Sequence, residues 1–120
     1  MGLNKSVNFS IAKLLKEKEF NEPCSLMYDE YGVLNGTKLG MHSKPNDYGK
    51  YSAPTIAEVI MWLYEKYGVW IWVAGYKRKN NRTYFDYYFS IDKLNQKASN
   101  FFSSPTEAYL AGIEYYLKKI

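Results

Sequence analysis

The chain has 120 residues, a net charge of +4 and 47% hydrophobic residues, values that fit one globular domain and exclude a disordered chain. A single Cys (Cys24) and a single His (His42) exclude a disulfide framework and the usual zinc sites. The aromatic share of 18%, with 13 Tyr, indicates either a core filled with rings or an interaction surface.

The N-terminal third predicts a helix followed by a hairpin. Residues 6–19 place Phe9, Ile11 and two leucines on one side and charges on the other, as in an amphipathic helix. Ser6, Asn8 and Ser10 are alternative caps for its start, and Asn21 and Pro23 are expected to stop it. Residues 24–31 alternate like a strand, and Asn35-Gly36 predicts a turn into a short return strand near 37–41. A loop rich in Gly, Pro, Asn and Ser then runs to Thr55.

The stretch from Thr55 to Ile91 is the centre of the chain. Thr55 and Glu58 match a capping box, which predicts a helix to about Tyr67, with Gly68 as its stop. Met61 and Tyr64 lie off the apolar stripe of this helix, so it is expected to touch something on a second side. Residues 69–76 and 83–91 predict two strands joined by the turn 77–82. Both strands are apolar or aromatic on both faces, so we expect each face to be covered by helices or by a partner.

The last helix is predicted to begin at Ser104, with Pro105 in the first helical position and Glu107 completing the cap. Ala108, Ala111 and Gly112 form an arc of small residues that suits close approach to another element. The element order α-β-(β)-α-β-β-α predicts a single α+β domain over residues 1–120. We expect a small antiparallel sheet of three or four strands packed with three helices.

The turn 77–82 is the strongest candidate site. It carries four cations beside four rings of the flanking strands, which is the composition of a single-strand nucleic-acid surface. The simpler interpretation is a solubilising turn on a buried sheet, since charged tips protect strands from aggregation. The candidate contact residues for nucleic acid or another partner are Lys77, Arg78, Lys79, Arg82, Trp70, Trp72, Tyr84 and Tyr88.

No residue pattern argues for an enzyme. A Cys24–His42 pair is arithmetically available as a nucleophile and base, but a buried structural Cys is the simpler interpretation. Asp29, Glu30 and Asp86 could meet across strands as paired acids or a metal site, although nothing in their spacing requires it. The sequence contains no phosphate-binding glycine loop, GxSxG, HExxH or EF-hand spacing. We therefore predict no catalytic residues, no metal and no cofactor.

Four segments carry a resemblance to known proteins: the tetrapeptide SAPT at 52–55, the helix VIMWLYEKYG, the strand VWIWV and the closing helix SSPTEAYLAGIEYYL. With a weaker match at the opening helix and the EPC segment, the chain resembles small uncharacterised proteins of bacteriophages and integrated mobile elements of gut Bacteroidetes. The resemblance covers roughly the last 70 residues. It implies a small cytoplasmic α+β protein of phage or mobile-element origin in a bacterial host, and it supplies no catalytic residues.

The sequence predicts a non-enzymatic binding or accessory protein that acts through protein–protein contacts. The aromatic sheet face or the second faces of the helices would make those contacts, with a homodimer as one form. The alternative is a nucleic-acid-binding module using the turn 77–82. The N-terminus lacks the features of a signal peptide and the apolar stretches are too short to span a bilayer, so we expect no membrane partner.

Overall fold

The computed structural model of this chain describes residues 2–37, 43–77, 85–92, 96–97 and 101–120. Over these residues it contains three α-helices and six short strands in two antiparallel sheets, which confirms the predicted α+β class. The helices are α1 (Phe9–Glu17), α2 (Ile56–Tyr67) and α3 (Pro105–Lys119). The strands are β1 (Leu26–Tyr28), β2 (Leu34–Gly36), β3 (Tyr51–Ser52), β4 (Ile71–Lys77), β5 (Phe85–Ile91) and β6 (Gln96–Lys97).

The chain clusters into two compact units. The N-terminal unit is Ser6–Thr55, and the C-terminal unit is Ile56–Ile120 together with Met1–Lys5. Each unit has its own three-stranded sheet, in the order β2-β1-β3 and β4-β5-β6 respectively. The strands thus divide between two sheets and do not form one, and the single domain over 1–120 stays a prediction.

Helix α1 is shorter at both ends than the predicted 6–19. Of the three candidate caps, Asn8 is used: its side-chain oxygen accepts a hydrogen bond from the backbone N–H of Ile11 at 2.9 Å. The helix ends in a Schellman motif, in which Phe20 N–H donates to the Leu15 carbonyl at 3.0 Å. Glu19 takes the left-handed conformation of this motif, with φ 64°. The chain therefore leaves the helix before the predicted stop at Asn21 and Pro23.

The predicted Asn35-Gly36 turn is wrong, because both residues lie inside β2. The turn lies earlier in the chain, at 29–32. There Gly32 has φ 79° and donates its N–H to the Asp29 carbonyl at 3.0 Å. The Asp29 carboxylate fixes this turn by accepting from Tyr31 N–H at 2.8 Å and Val33 N–H at 3.0 Å. A return strand at 34–36 thus replaces the one predicted at 37–41, of which 38–41 lies outside the described residues.

One face of the N-terminal sheet packs on α1. The Phe9 ring lies 5.4 Å from the Tyr28 ring and 5.2 Å from the Tyr51 ring. The Tyr28 hydroxyl donates to the Val7 carbonyl at 2.8 Å. Val7, Ile11 and Leu15 are fully buried, so this small unit has an apolar core of its own.

In the C-terminal unit, β4 and β5 form a seven-residue antiparallel pair from Ile71↔Ile91 to Lys77↔Phe85. Strand β6 pairs with the end of β5, and Phe102 bridges Tyr87 through two backbone hydrogen bonds of 2.8 and 2.9 Å. The predicted strands at 69–76 and 83–91 therefore form. The first begins at Ile71, and the second is described from Phe85, because 83–84 lies outside the described residues.

Both helices of the C-terminal unit start where the sequence predicts. Helix α2 begins directly after Thr55 and is followed by Gly68 with φ 67°. Helix α3 is capped by Ser104, whose hydroxyl accepts from Glu107 N–H at 3.2 Å, while Ser103 donates to the Glu107 carboxylate at 2.9 Å. In the described part of the chain, no helix combines the length and apolar character needed to cross a membrane.

Helix α3 covers one face of the β4–β5 pair. Gly112 allows this close contact, since a Cβ at that position would lie 2.9 Å from Cγ of the buried Phe89 ring. The predicted role of the small-residue arc is therefore confirmed at Gly112. Ala108 is also buried, whereas Ala111 is half-buried.

Candidate functional site

The candidate site is an aromatic surface on the second face of the β4–β5 pair. Successive strand residues alternate between faces, so Trp70, Trp72 and Ala74 share this face. Their cross-strand partners Tyr88, opposite Ala74, and Ser90, opposite Trp72, share it too. Ile71, Val73, Phe89 and Ile91 point the other way, toward α3.

The two tryptophans of this face are only partly covered. Trp70 is 38% exposed and Trp72 is 40% exposed, whereas Trp62 in α2 is 8% exposed and belongs to the core. On the opposite face Ile91 is 0% exposed. The chain thus covers one face closely and the other only in part, and the predicted alternative of a partner on the second face stays a prediction.

Two further rings extend the surface beyond the sheet. The Tyr64 ring of α2 meets the Trp70 ring edge-on, with centroids 5.5 Å apart. The Phe101 ring meets the Tyr88 ring in the same way, at 6.2 Å. Both Tyr64 and Phe101 are exposed. We call this set the aromatic surface: Tyr64, Trp70, Trp72, Tyr88 and Phe101.

Sequence reasoning did not place Tyr64 or Phe101 with the sheet. Tyr64 could have been linked, because it lies off the apolar stripe of α2 and Gly68 turns the chain directly into Trp70. Phe101 and Phe102 lie at the edge of β5, where the Phe102 bridge makes neighbouring residues alternate. Phe102 accordingly contacts Phe89 at 6.3 Å on the α3 side, while Phe101 contacts Tyr88. No sequence motif signals such a bridge.

The predicted basic turn is only marginally described. Lys77 closes the strand pair opposite Phe85, while Arg78, Lys79, Arg82 and Tyr84 lie outside the described residues. Its nucleic-acid role stays a prediction. The structure therefore brings together Trp70, Trp72 and Tyr88 of the eight predicted contact residues.

Acidic side chains lie beside the aromatic surface. Asp86 shares the Trp72 face of β5, two residues from Tyr88. Asp92 follows the end of β5, where its Oδ1 accepts from the Trp70 N–H at 2.8 Å. Glu65 is an exposed neighbour of Tyr64 on α2. Acidic residues thus lie near the described rings, and Lys97 of β6, which pairs with Ser90, lies on the same face as Trp72.

The other candidate chemistry is not assembled in the described residues. Cys24 is buried and its thiol faces the Glu22 carbonyl at 3.6 Å, while His42 lies outside the described residues, so the Cys–His pair is untested. Asp29 holds its turn, and Glu30 forms an ion pair with Lys50 at 3.7 Å. Within the described ranges no three His, Cys, Asp or Glu side chains are grouped to hold a metal ion.

The N-terminal unit also has an open groove of about 500 Å³. Two of its polar side chains hold the unit together: Lys16 donates to the Lys50 carbonyl at 3.0 Å, and Asn46 donates to the Phe20 carbonyl at 2.7 Å and accepts from Ser52 N–H at 2.9 Å. These groups serve the fold, so the groove is a weaker candidate than the aromatic surface. It is lined by Lys16, Glu19, Phe20, Asn21, Asn46 and Asp47.

Comparison of this chain with protein-family models, with curated proteins and with solved structures gave no match. The resemblance to phage and mobile-element proteins stays a prediction. The case for function accordingly depends on the aromatic surface itself.

Proposed function

We propose that this chain is a non-enzymatic binding protein that acts through protein–protein contacts at the aromatic surface. The observation that carries the proposal is the partial exposure of Trp70 and Trp72 on a sheet whose other face is buried. Trp and Tyr are the side chains most enriched among residues that dominate protein–protein affinity. A rigid strand pair presents them with little loss of conformational freedom on binding.

The continuity of the rings supports one binding surface and not scattered exposed residues. Single exposed apolar residues are common and need no explanation. Here the ring contacts of 5.5 Å (Tyr64–Trp70) and 6.2 Å (Tyr88–Phe101) extend the two tryptophans on both sides. A partner that covered this surface would bury apolar area from a helix, two strands and a connector together.

The two aspartates on the tryptophan face support a protein partner over nucleic acid, although Lys97 lies on the same face. A phosphate backbone laid across Trp70 and Trp72 would pass Asp92 and Asp86, and like charges oppose such a contact. A protein segment with Lys or Arg would instead meet both the carboxylates and the ring faces, with cation–π contacts as an additional attraction. We therefore expect a partner surface that combines basic and apolar side chains.

Selection from a random-peptide display library tests this proposal. Wild-type chain would be the target, with counter-selection on a Trp70→Ala/Trp72→Ala variant of unchanged circular dichroism. We expect recovered peptides rich in Lys, Arg and apolar residues, which lose about tenfold or more in affinity on the variant. Met27→Ala is the matched control, because this half-buried side chain lies in the N-terminal unit. Peptides that bind the wild-type chain and the Trp70→Ala/Trp72→Ala variant with equal affinity would contradict the proposal.

Titration with labelled single-stranded DNA and RNA tests the alternative through the turn 77–82. Nucleic-acid binding would be tightest at low salt and would weaken steeply as salt is added, because phosphate contacts release counterions. We expect no saturable binding at low salt. Saturable, salt-sensitive binding that is lost on Trp72→Ala would replace the protein-partner proposal with the nucleic-acid one.

A further inference from the structure

Strand β2 is an edge whose outer hydrogen-bonding groups are unpaired in the described structure. Asp29 N–H donates to the Val33 carbonyl at 3.1 Å, and Thr37 N–H donates to the Ser25 carbonyl at 3.0 Å. Backbone pairing alternates along an antiparallel strand, so Asn35 also turns its groups toward β1. The N–H and C=O groups of Leu34 and Gly36 therefore point away from the sheet. Exposed edges of this kind can pair with another strand.

Apart from its short length, the edge lacks the usual protection against such pairing. Residues 33–37 read Val-Leu-Asn-Gly-Thr and contain no charge and no proline. Natural edge strands are commonly protected by Lys, by Pro or by inward-facing charges. Val33, Leu34 and the nearby Tyr31 are instead exposed apolar side chains, with Leu34 at 43% exposure.

Gly36 is not required by the conformation of its own unit. Its φ is not in the left-handed region, and among the described atoms an added Cβ would meet only the Ser25 carbonyl, at 3.9 Å. Glycine inside a strand weakens it, and such a residue often marks a place where another backbone approaches. This observation is independent of the exposed edge and points to the same position.

We propose that β2 pairs with β2 of a second copy of this chain, antiparallel about a two-fold axis at Asn35. In this register Leu34 of one copy lies opposite Gly36 of the other, and the four outward backbone groups of each copy are satisfied. Asn35 faces Asn35, and Val33 faces Thr37. Every opposed pair is uncharged, so no like charges meet. The two sheets become one six-stranded sheet.

The pairing also extends a face that is already buried. Leu34 lies opposite Tyr28 in the β1–β2 register, so it shares the face that packs on Phe9 of α1. Across the dimer axis, Leu34 of one copy covers the bare backbone at Gly36 of the other. An edge of three residues buries little area, so this dimer is expected to be weak and concentration-dependent.

Sedimentation equilibrium up to about 1 mM tests the dimer, because small interfaces associate weakly. We expect a reversible monomer–dimer equilibrium in wild type and monomer only in Leu34→Lys, which puts a charge on each copy near the axis. Met61→Lys is the matched control, since it adds the same charge to an exposed apolar position of α2. A wild type that is monomeric throughout, or a dimer that persists in Leu34→Lys, would overturn the proposal.

A cross-linking series tests the register itself. Directly opposed residues outside the hydrogen-bonded pairs have Cα atoms about 4.5 Å apart, which a disulfide can join. Asn35→Cys is therefore expected to form a covalent dimer with oxidised glutathione, while Leu34→Cys does not. Wild type controls for the buried Cys24. Equal cross-linking at 34 and 35 would exclude this register.

The binding role of the aromatic surface and the pairing through β2 can be tested independently of each other. The Trp70→Ala/Trp72→Ala variant changes the C-terminal unit, so it should leave the Asn35→Cys cross-link unchanged. A cross-link that disappears in that background would place the interface at the aromatic surface and overturn the pairing through β2.

Discussion

The two faces of the β4–β5 pair both carry large apolar residues but differ in what covers them. On the face under α3, the side chains of Ile71, Phe89 and Ile91 are almost fully excluded from water. The Trp70 and Trp72 face keeps more than a third of each indole exposed. Hydrophobic content alone does not explain this difference.

The difference lies in the residues that meet each face. Gly112 lets α3 approach within van der Waals contact of Phe89, so that face is filled as a protein core is filled. On the other face, Trp70 contacts Tyr64 and Tyr88 contacts Phe101 edge-on, and these rings remain partly exposed. The covered face is therefore expected to contribute more to the stability of the C-terminal unit than the partly exposed aromatic surface.

Truncating one residue on each face is expected to give the largest difference in unfolding free energy between the two faces. Ile71→Ala removes a side chain that is 2% exposed, and leaves a cavity that should cost about 3 kcal/mol of unfolding free energy. Trp72→Ala removes a larger side chain that is only partly buried, and should cost less, about 2 kcal/mol. Urea unfolding followed by circular dichroism measures both values.

Equal losses at Ile71 and Trp72 would contradict the comparison, because they would mean that the tryptophan face is also a packed core. Tyr64→Ala serves as a control on the same surface. This exposed side chain should cost less than Ile71→Ala, even though its ring contacts Trp70.

Gly112→Ala tests how α3 covers its face. In an exposed helix this change stabilises by about 1 kcal/mol. Here the new Cβ would lie 2.9 Å from Cγ of Phe89, whose ring is also packed against Tyr115 at 5.9 Å. We expect overpacking to reverse the sign, with a net loss of about 1–2 kcal/mol in urea unfolding.

The Phe89→Ala background separates close packing from other effects of Gly112→Ala. It removes Cγ and Cδ2 of residue 89, two of the three atoms nearest to the new methyl group, so the same change should then be neutral or stabilising. If Gly112→Ala also stabilises the wild-type chain, the close approach of α3 to β5 is wrong.

Ser104→Ala removes the cap of α3 without touching either face. The hydroxyl of Ser104 accepts from Glu107 N–H at 3.2 Å, and losing such a cap costs about 1 kcal/mol. Ser104→Asp should keep most of the stability, because Asp also caps well and suits a helix N-terminus. Thermal unfolding of the three forms would show this order. An Asp variant as unstable as the Ala variant would argue against capping as the cause.

Local chemistry made much of the fold predictable. Ser104 with Glu107 predicted the start of α3, and Gly68 predicted the end of α2, because caps and left-handed positions need only neighbouring residues. The prediction of a turn at Asn35-Gly36 was wrong because another local interaction competes with it. The Asp29 carboxylate bonds two N–H groups around Gly32 and forms a competing turn that a dipeptide rule does not detect.

The aromatic surface was only partly predictable, because it depends on contacts between distant residues. Strand alternation placed Trp70 and Trp72 together, and opposite Tyr88 across the strands. It could not show that α3 would cover the other face, since both faces are apolar. Tyr64 joins through the packing of α2, and Phe101 joins through the Phe102 bridge. Neither contact leaves a periodic signal in the sequence.

Alkaline pH offers the smallest and most specific test of the covered side. Burial raises the pKa of Tyr116 in α3 above its ordinary value, and the nearby Tyr67 raises it further. The folded chain therefore holds this proton at a pH where the unfolded chain releases it. Stability linked to Tyr116 is complete below about pH 10 and falls as pH rises above it.

In urea unfolding at pH 8 and about 10.5, we expect Tyr116→Phe to lose less stability between the two pH values than wild type. Tyr109→Phe is the control, because this half-buried tyrosine lies in the same helix. A wild-type loss matched by Tyr116→Phe would mean that the Tyr116 hydroxyl is not held in an apolar environment.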